Sequence, residues 1–143
     1  MSKNCRVGDK LARYYFCCNL ANCFSLIKKN NIAEICVAVA YVKKPGLEYL
    51  MDIGLYNIMR RAHTRMVISL DFGITDIEAV NLLKEIGASV RVIKLKRGEF
   101  HPKIYIIRYN DGTAHAIIGS ANLTLGAFTN NVEANIVIYG NVK

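Results

Sequence analysis

Apolar positions along the chain follow two periods, and the switches between them mark out the expected elements. Phe16, Leu20, Cys23, Phe24 and Ile27 recur at helical spacing, and Lys28-Lys29-Asn30-Asn31 closes the run, so the first 30 residues are expected to be helical. Residues 34–42 (EICVAVAYV) are continuously apolar and rich in β-branched side chains, the pattern of a strand buried on both faces. Pro45-Gly46 punctuates, and Leu47, Leu50, Met51, Gly54, Leu55 and Ile58 predict a second helix ending near Arg60-Arg61. Residues 65–71 (RMVISLD) form another buried strand on the same grounds. Thr75-Asp76-Ile77-Glu78 has the form of a capping box, in which Thr75 and Glu78 satisfy each other's backbone donors. It opens a helix carrying Ile77, Val80, Leu83 and Ile86, stopped by Gly87, and residues 89–95 (SVRVIKL) are a third strand.

That alternation of strand and helix implies parallel pairing with helices packed on the sheet. The pattern then changes. Residues 102–109 and 113–119 read as two strands joined by Asn110-Asp111-Gly112, a strong hairpin signal, and residues 132–139 (VEANIVIY) are the last strand. The expected fold class is α/β, with a mixed, largely parallel sheet flanked by helices, in a single domain spanning residues 1–143.

Composition narrows the class. A hydrophobic fraction of 52% supports a real core and argues against disorder over most of the length. The 19 Lys+Arg against 11 Asp+Glu leave +8 at pH 7, a field that attracts polyanions, of which the phosphate backbone of nucleic acid is the obvious one; an anionic membrane surface would feel the same field. Cys5, Cys17, Cys18, Cys23 and Cys36 form no C-x-x-C pair and no cluster at zinc-ligand spacing, which argues for reduced thiols and a cytoplasmic protein. Asn19 and Asn22 interrupt the apolar run after Lys3, Arg6, Lys10 and Arg13, so a secretory signal is not expected. No stretch approaches the ~20 apolar residues of a membrane span.

The polar constellation of note lies in the last third: His101-Pro102-Lys103, then Gly119-Ser120-Ala121-Asn122, then Glu133. His101 and Lys103 stand two apart at a strand start and so share a face. One offers a nucleophile or proton carrier near neutral pH, the other a fixed positive charge for phosphate. Ser120 and Asn122, also two apart, follow the strand that the hairpin sets beside the first, and they offer a hydroxyl and an amide. Glu133 could accept from an imidazole N–H and hold its tautomer. Singly, each has a bland reading: a turn histidine, a solvated lysine, a strand-to-loop serine, a capping asparagine, an edge charge that blunts pairing. Together they supply what phosphoryl transfer without a metal requires. No carboxylate or histidine cluster suited to two divalent ions is visible, and no metal or other cofactor is expected.

H-x-K followed by G-S-x-N resembles the signature of the phospholipase D superfamily, with His101, Lys103, Gly119, Ser120 and Asn122 in its positions and Glu133 where its members carry a glutamate that supports the histidine. The stretches 100–107 (FHPKIYII) and 117–135 (IIGSANLTLGAFTNNVEAN) look like the nuclease branch, including domains fused to restriction enzymes and helicases, and the resemblance extends over residues 30–140. The motif usually places an aspartate five residues after the lysine; Arg108 stands there, and Asp111 comes three residues later. That aspartate is regarded as supporting structure, and some nuclease-branch members lack it, so Arg108 argues more against the lipase branch than against the nuclease branch.

The resemblance implies a mechanism. One histidine attacks phosphorus, a second protonates the leaving oxygen, and water releases the phosphohistidine; Lys103, Ser120, Asn122 and Gly119 bind the phosphate. One motif per chain then implies a homodimer with both His101 residues in one composite site at the interface. His63, at a helix end, and His115, inside a strand, are poor substitutes. The expected function is metal-independent cleavage of DNA, with RNA left open and no membrane partner. The rivals are a lipid phosphodiesterase and a catalytically silent nucleic-acid-binding module. Compact single-motif nucleases continue into a helix after the last strand, so the chain is expected to be the catalytic part of a longer protein, or else a form that dispenses with that helix.

Overall fold

The structure, a computed structural model, describes residues 2–7, 10–71 and 73–142, with side chains from Ala12 onward. The first half of the chain holds strands β1 (Ser2–Val7) and β2 (Lys10–Cys17), helix α1 (Leu20–Ser25), strand β3 (Ile32–Val39) and helices α2 (Lys44–Asp52) and α3 (Tyr56–Arg61). Then come β4 (His63–Ser69), α4 (Ile77–Glu85) and β5 (Ser89–Ile93). The hairpin β6 (Lys103–Tyr109) and β7 (Thr113–Gly119), helix α5 (Leu125–Phe128) and β8 (Asn135–Asn141) complete it.

All eight strands join one mixed sheet in the order β1-β2-β8-β7-β6-β3-β4-β5. The α/β class with a mixed sheet and flanking helices is as expected, but the parallel share is smaller. Only β3–β4 and β4–β5 run parallel, and the other five pairings are antiparallel. The reason is that β6 returns against β3, with Lys103 opposite Val39, and every later strand then enters as its neighbour's reverse.

The N-terminal segment corrects the expectation of a helix over the first 30 residues. Its first half is the antiparallel pair β1–β2, and β2 pairs in turn with β8, placing Phe16 opposite Ile136. Tyr14-Tyr15-Phe16 favours a pleated surface, where alternate residues face opposite ways. Tyr15 and Cys17 pack on the core while Phe16 points out, 74% exposed. The helical spacing read from Phe16 thus joined an outward strand residue to the inward face of α1. That helix begins only after Asn19, whose side chain accepts from the Asn22 N–H at 2.8 Å.

Two further elements differ. The long second helix is broken into α2 and α3 at Gly54, whose φ of 81° is left-handed and ends the first piece. The capping box does not form. The Thr75 hydroxyl donates instead to the Ser69 carbonyl at 2.9 Å and accepts from Val42 N–H, while Asp76, the residue before α4, binds Lys43 Nζ and Lys44 N–H, each at 2.9 Å. These bonds tie together the segments that follow β3 and β4.

The five described helices lie on one face of the sheet. Phe24, Leu50, Met59, Leu83 and Phe128 share one apolar cluster with Ile35, Val37, Met66, Tyr105, Ile107, Ile117 and Val137 from the strands. Burial of that cluster is the main stabilising term. The opposite face presents Phe16 and Ile118, the latter 43% exposed. The ends of β3, β4 and β7 and the starts of β6 and β8 converge at one end of the sheet. No described helix is long and apolar enough to cross a membrane.

Candidate active site

His101 is exposed, in the segment leading into β6, and Lys103 opens that strand. Lys103 faces the helix-covered side and is only 7% exposed, although its Nζ reaches the sheet end. There it lies 2.6 Å from His101 Nδ1 and 2.7 Å from Nε2, and it donates to the His101 carbonyl at 3.0 Å. An ammonium so placed donates to whichever ring nitrogen lacks a hydrogen. Burial pulls the Lys103 pKa below its ordinary value, and the Glu133 carboxylate opposes that by favouring the cation.

The turn after β7 supplies the next groups. Gly119 sits opposite Asn135, and a Cβ there would collide with the Ala134 carbonyl and the Asn135 side chain. Only glycine permits that approach. Ser120 then pairs with Ala134 in both directions: its N–H donates to the Ala134 carbonyl at 3.1 Å, and its Oγ accepts from Ala134 N–H at 3.0 Å. The Ser120 hydroxyl hydrogen goes to Glu133 Oε2. The other Glu133 oxygen accepts from Asn131 Nδ2 at 3.0 Å, and Glu133 N–H is anchored on the Cys18 carbonyl at 2.7 Å. Asn122 is 7% exposed and its Oδ1 accepts from Tyr41 N–H at 3.3 Å, so its Nδ2 is the end left to donate. His101, Lys103, Gly119, Ser120, Asn122 and Glu133 therefore all gather at one sheet end, brought there by three different segments. Beside Glu133, a groove of about 520 Å³ opens on the uncovered face, lined by Phe16, Cys17, Cys18 and Ile118.

Three supports escaped the sequence reading. Tyr105, two residues after Lys103 and 2% exposed, donates its hydroxyl to the Ala121 carbonyl at 2.9 Å and so fixes the Ser120–Asn122 turn; burial raises its pKa far above the phenolic range. Asn135, 4% exposed, accepts from Ala121 N–H at 3.4 Å, with a buried Nδ2 that has no protein partner. Asp71 accepts from Phe100 N–H at 3.1 Å, one residue before His101. Strand alternation from Lys103 signalled Tyr105, and an asparagine inside the apolar run 132–139 signalled Asn135. Nothing in sequence marked Asp71.

The remaining candidates lie elsewhere. His115 is buried in the sheet, 2.8 Å from the Tyr109 hydroxyl and stacked on Tyr139; burial, and secondarily Lys28, lower its pKa to about 4. His63 opens β4 at the opposite end of the sheet, 3.7 Å from Glu34. Arg108 also points away, pairing with Glu34 at 3.2 Å, so its presence in place of an aspartate does not touch the groups around His101. Cys17, Cys18, Cys23 and Cys36 are free thiols; the Cys5 side chain lies outside the described residues. Among the described residues, no three His, Cys, Asp or Glu side chains gather as a metal site.

The family described as cardiolipin synthase, PLD-like domain, matches residues 56–142, more than half of the chain and a span that includes His101, Lys103, Gly119, Ser120, Asn122 and Glu133. A comparison with curated protein sequences gave no match. Among solved structures, Nuc, a phospholipase D family member from Salmonella typhimurium, matches with a TM-score of 0.65 at 19% identity, over 94% of this chain and 85% of its own. NucT from Helicobacter pylori matches at 0.62 and 16% identity, over 91% of this chain and 86% of its own. A mutant of yeast tyrosyl-DNA phosphodiesterase 1 matches at 0.51 and 13% identity, over 78% of this chain but 26% of that one. On this sequence match, with the fold in agreement, the chain belongs to the phospholipase D-like domain family.

Proposed function

We propose that this protein is a metal-independent phosphodiesterase that cleaves DNA, with His101 as its nucleophile and the site completed by a second copy of the chain. The observation that carries the reading is the Lys103 ammonium, nearly buried and held 2.6–2.7 Å from both nitrogens of an exposed imidazole. A cation fixed beside a nucleophile is what an attacked phosphate needs, because negative charge grows on its non-bridging oxygens.

In the proposed reaction, a His101 ring nitrogen attacks phosphorus and the P–O bond to the leaving oxygen breaks. His101 of the second copy gives that oxygen a proton. Water then attacks the phosphohistidine, returning its proton to the second histidine and freeing the first. Lys103 and Asn122 hold the phosphate oxygens, Ser120 completes that cradle through its turn, and Glu133 orients the imidazole while it sustains the Lys103 charge. The name of one similar structure, a tyrosyl-DNA phosphodiesterase, supports a nucleic-acid phosphodiester as substrate.

The matched family's description favours one other reading, a lipid phosphodiester. Incubation with plasmid DNA in EDTA, beside phosphatidylcholine vesicles, separates the two. Cleavage of plasmid by the wild type and none by His101→Ala is the expected result. A requirement for added magnesium, wild-type cutting by His101→Ala, or hydrolysis of the lipid alone would overturn the proposal.

A further inference from the structure

The segment between β5 and His101 carries Lys94, Lys96 and Arg97, all exposed, within four to seven residues of the nucleophile. A free loop of that length would sample many positions, but this one is closed at both ends by a single carboxylate. Asp71 Oδ1 accepts from Leu95 N–H at 2.9 Å, and Oδ2 accepts from Phe100 N–H at 3.1 Å. Asp71 is in turn fixed from below. The Ser69 hydroxyl donates to Oδ2 at 2.7 Å and accepts from Asp71 N–H at 2.9 Å, and Ser69, 1% exposed, ends β4. Leu70 N–H completes the support on the Ile93 carbonyl at 3.0 Å. Gly98, with φ of 75°, makes the bend between the two ends.

From this geometry we infer that residues 94–100 are a fixed phosphate-backbone clamp, in which Lys94, Lys96 and Arg97 bind nucleic-acid phosphates flanking the scissile one and Asp71 holds them beside His101. The inference rests on the proposed nuclease reading and names the surface that carries its substrate. Charge explains the ligand class. The loop carries three cations against one carboxylate, Glu99, and Lys43 and Lys44 stand at the same sheet end, where Asp76 is engaged by the Lys43 ammonium and the Lys44 N–H and Asp71 by the loop itself. Successive phosphates of one strand suit such a run of cations better than a single lipid headgroup does.

The test is the salt dependence of binding of a fluorescent DNA duplex, read by anisotropy, on the His101→Ala background. Each lost phosphate contact reduces the log–log slope by roughly 0.9. Replacing Lys94, Lys96 and Arg97 together by Ala should lower the slope by about 2–3 on that basis. Replacing Arg60 and Arg61, exposed at the opposite end of the sheet, should lower it by less than 1. Equal loss per charge at the two ends would overturn the clamp, leaving only a general field. Asp71→Asn supplies a test of opposite sign: it makes the protein one charge more positive, so the field alone would tighten binding, whereas a released loop weakens it. Tighter binding by Asp71→Asn overturns the role of Asp71. Loss of binding to phosphatidylserine vesicles, with the duplex unaffected, would assign the loop to a membrane surface instead. Failure of the wild type to cut DNA, with the slope changes as expected, would count against the nuclease reading and leave the clamp standing.

Discussion

Lys103 is both the first residue of a strand and a nearly desolvated cation, and it tolerates burial because it donates to the His101 ring and carbonyl and the Glu133 carboxylate favours its charge. Truncation to alanine removes the nearest positive charge from the attacked phosphate. Turnover by Lys103→Ala should fall on the order of 10²–10³-fold, while DNA affinity, spread over many basic residues, falls far less. A parallel loss of affinity and turnover, measured as separate KM and kcat effects, would make Lys103 an ordinary backbone contact. His115 gives the second residue-scale prediction. Its folded pKa of about 4 lies below the ordinary 6.5, so the unfolded chain binds the extra proton first as acid is added. The stability this represents is full above pH 6.5 and is lost progressively toward pH 4, roughly 3 kcal/mol in all. Urea unfolding at pH 6.5 and pH 5 should show the loss in the wild type and a flatter profile in His115→Phe; the same slope in both would mean that the acid sensitivity resides elsewhere. The chemistry-bearing residues were legible at this scale because H-x-K and G-S-x-N are local spacings. Asp71 and Tyr41 were not, because they act through backbone bonds to residues 24 or more positions away.

The elements show why local pattern served some segments and failed others. The hairpin of β6 and β7 was legible, since Asn110-Asp111-Gly112 between two alternating runs leaves one reasonable arrangement. The β1–β2 pair was not, because β2 is stabilised by pairing with β8, a partner more than a hundred residues away, and nothing within residues 10–17 reports it. The capping box failed for a similar reason: the Thr75 hydroxyl oxygen accepts from the N–H of Val42, 33 residues away in the segment after β3, which only the fold brings beside it. At the end of β7 the backbones of residues 119 and 134 approach so closely that a methyl group has no room. Gly119→Ala should therefore cost about 1–3 kcal/mol by overpacking, and should lower turnover further by displacing Ser120 and Asn122. Near-wild-type unfolding and turnover in that variant would show that the turn yields without moving its cargo.

For the molecule as a whole, the decisive question is how many histidines one site contains. His63 lies at the far end of the sheet and His115 inside it, so within one chain neither stands beside His101, and the proposed reaction needs a second copy for its proton donor. A composite site of two copies predicts a definite dilution law. Wild-type and His101→Ala chains co-refolded in equal amounts should retain about a quarter of the activity of the same total of wild type, because only wild-type pairs hold both histidines. Retention of one half would mean that each chain works alone. A monomer by sedimentation during turnover would have the same force.

Sequence by itself determined the residue types and the spacings within single strands and turns. It showed a histidine and a lysine sharing a face, a glycine-serine turn and an asparagine two residues on, because alternation and turn geometry are local properties of the backbone. Only the tertiary structure decided the rest. It ran most of the sheet antiparallel, recruited the N-terminus as a strand, and gathered the five described helices on one face. It also buried Lys103 against His101, tied Ser120 to Glu133, and drew Asp71 under the loop that leads to His101. Each of those outcomes depends on pairing between segments far apart in the chain, and its energy comes from contacts that no short window of sequence contains.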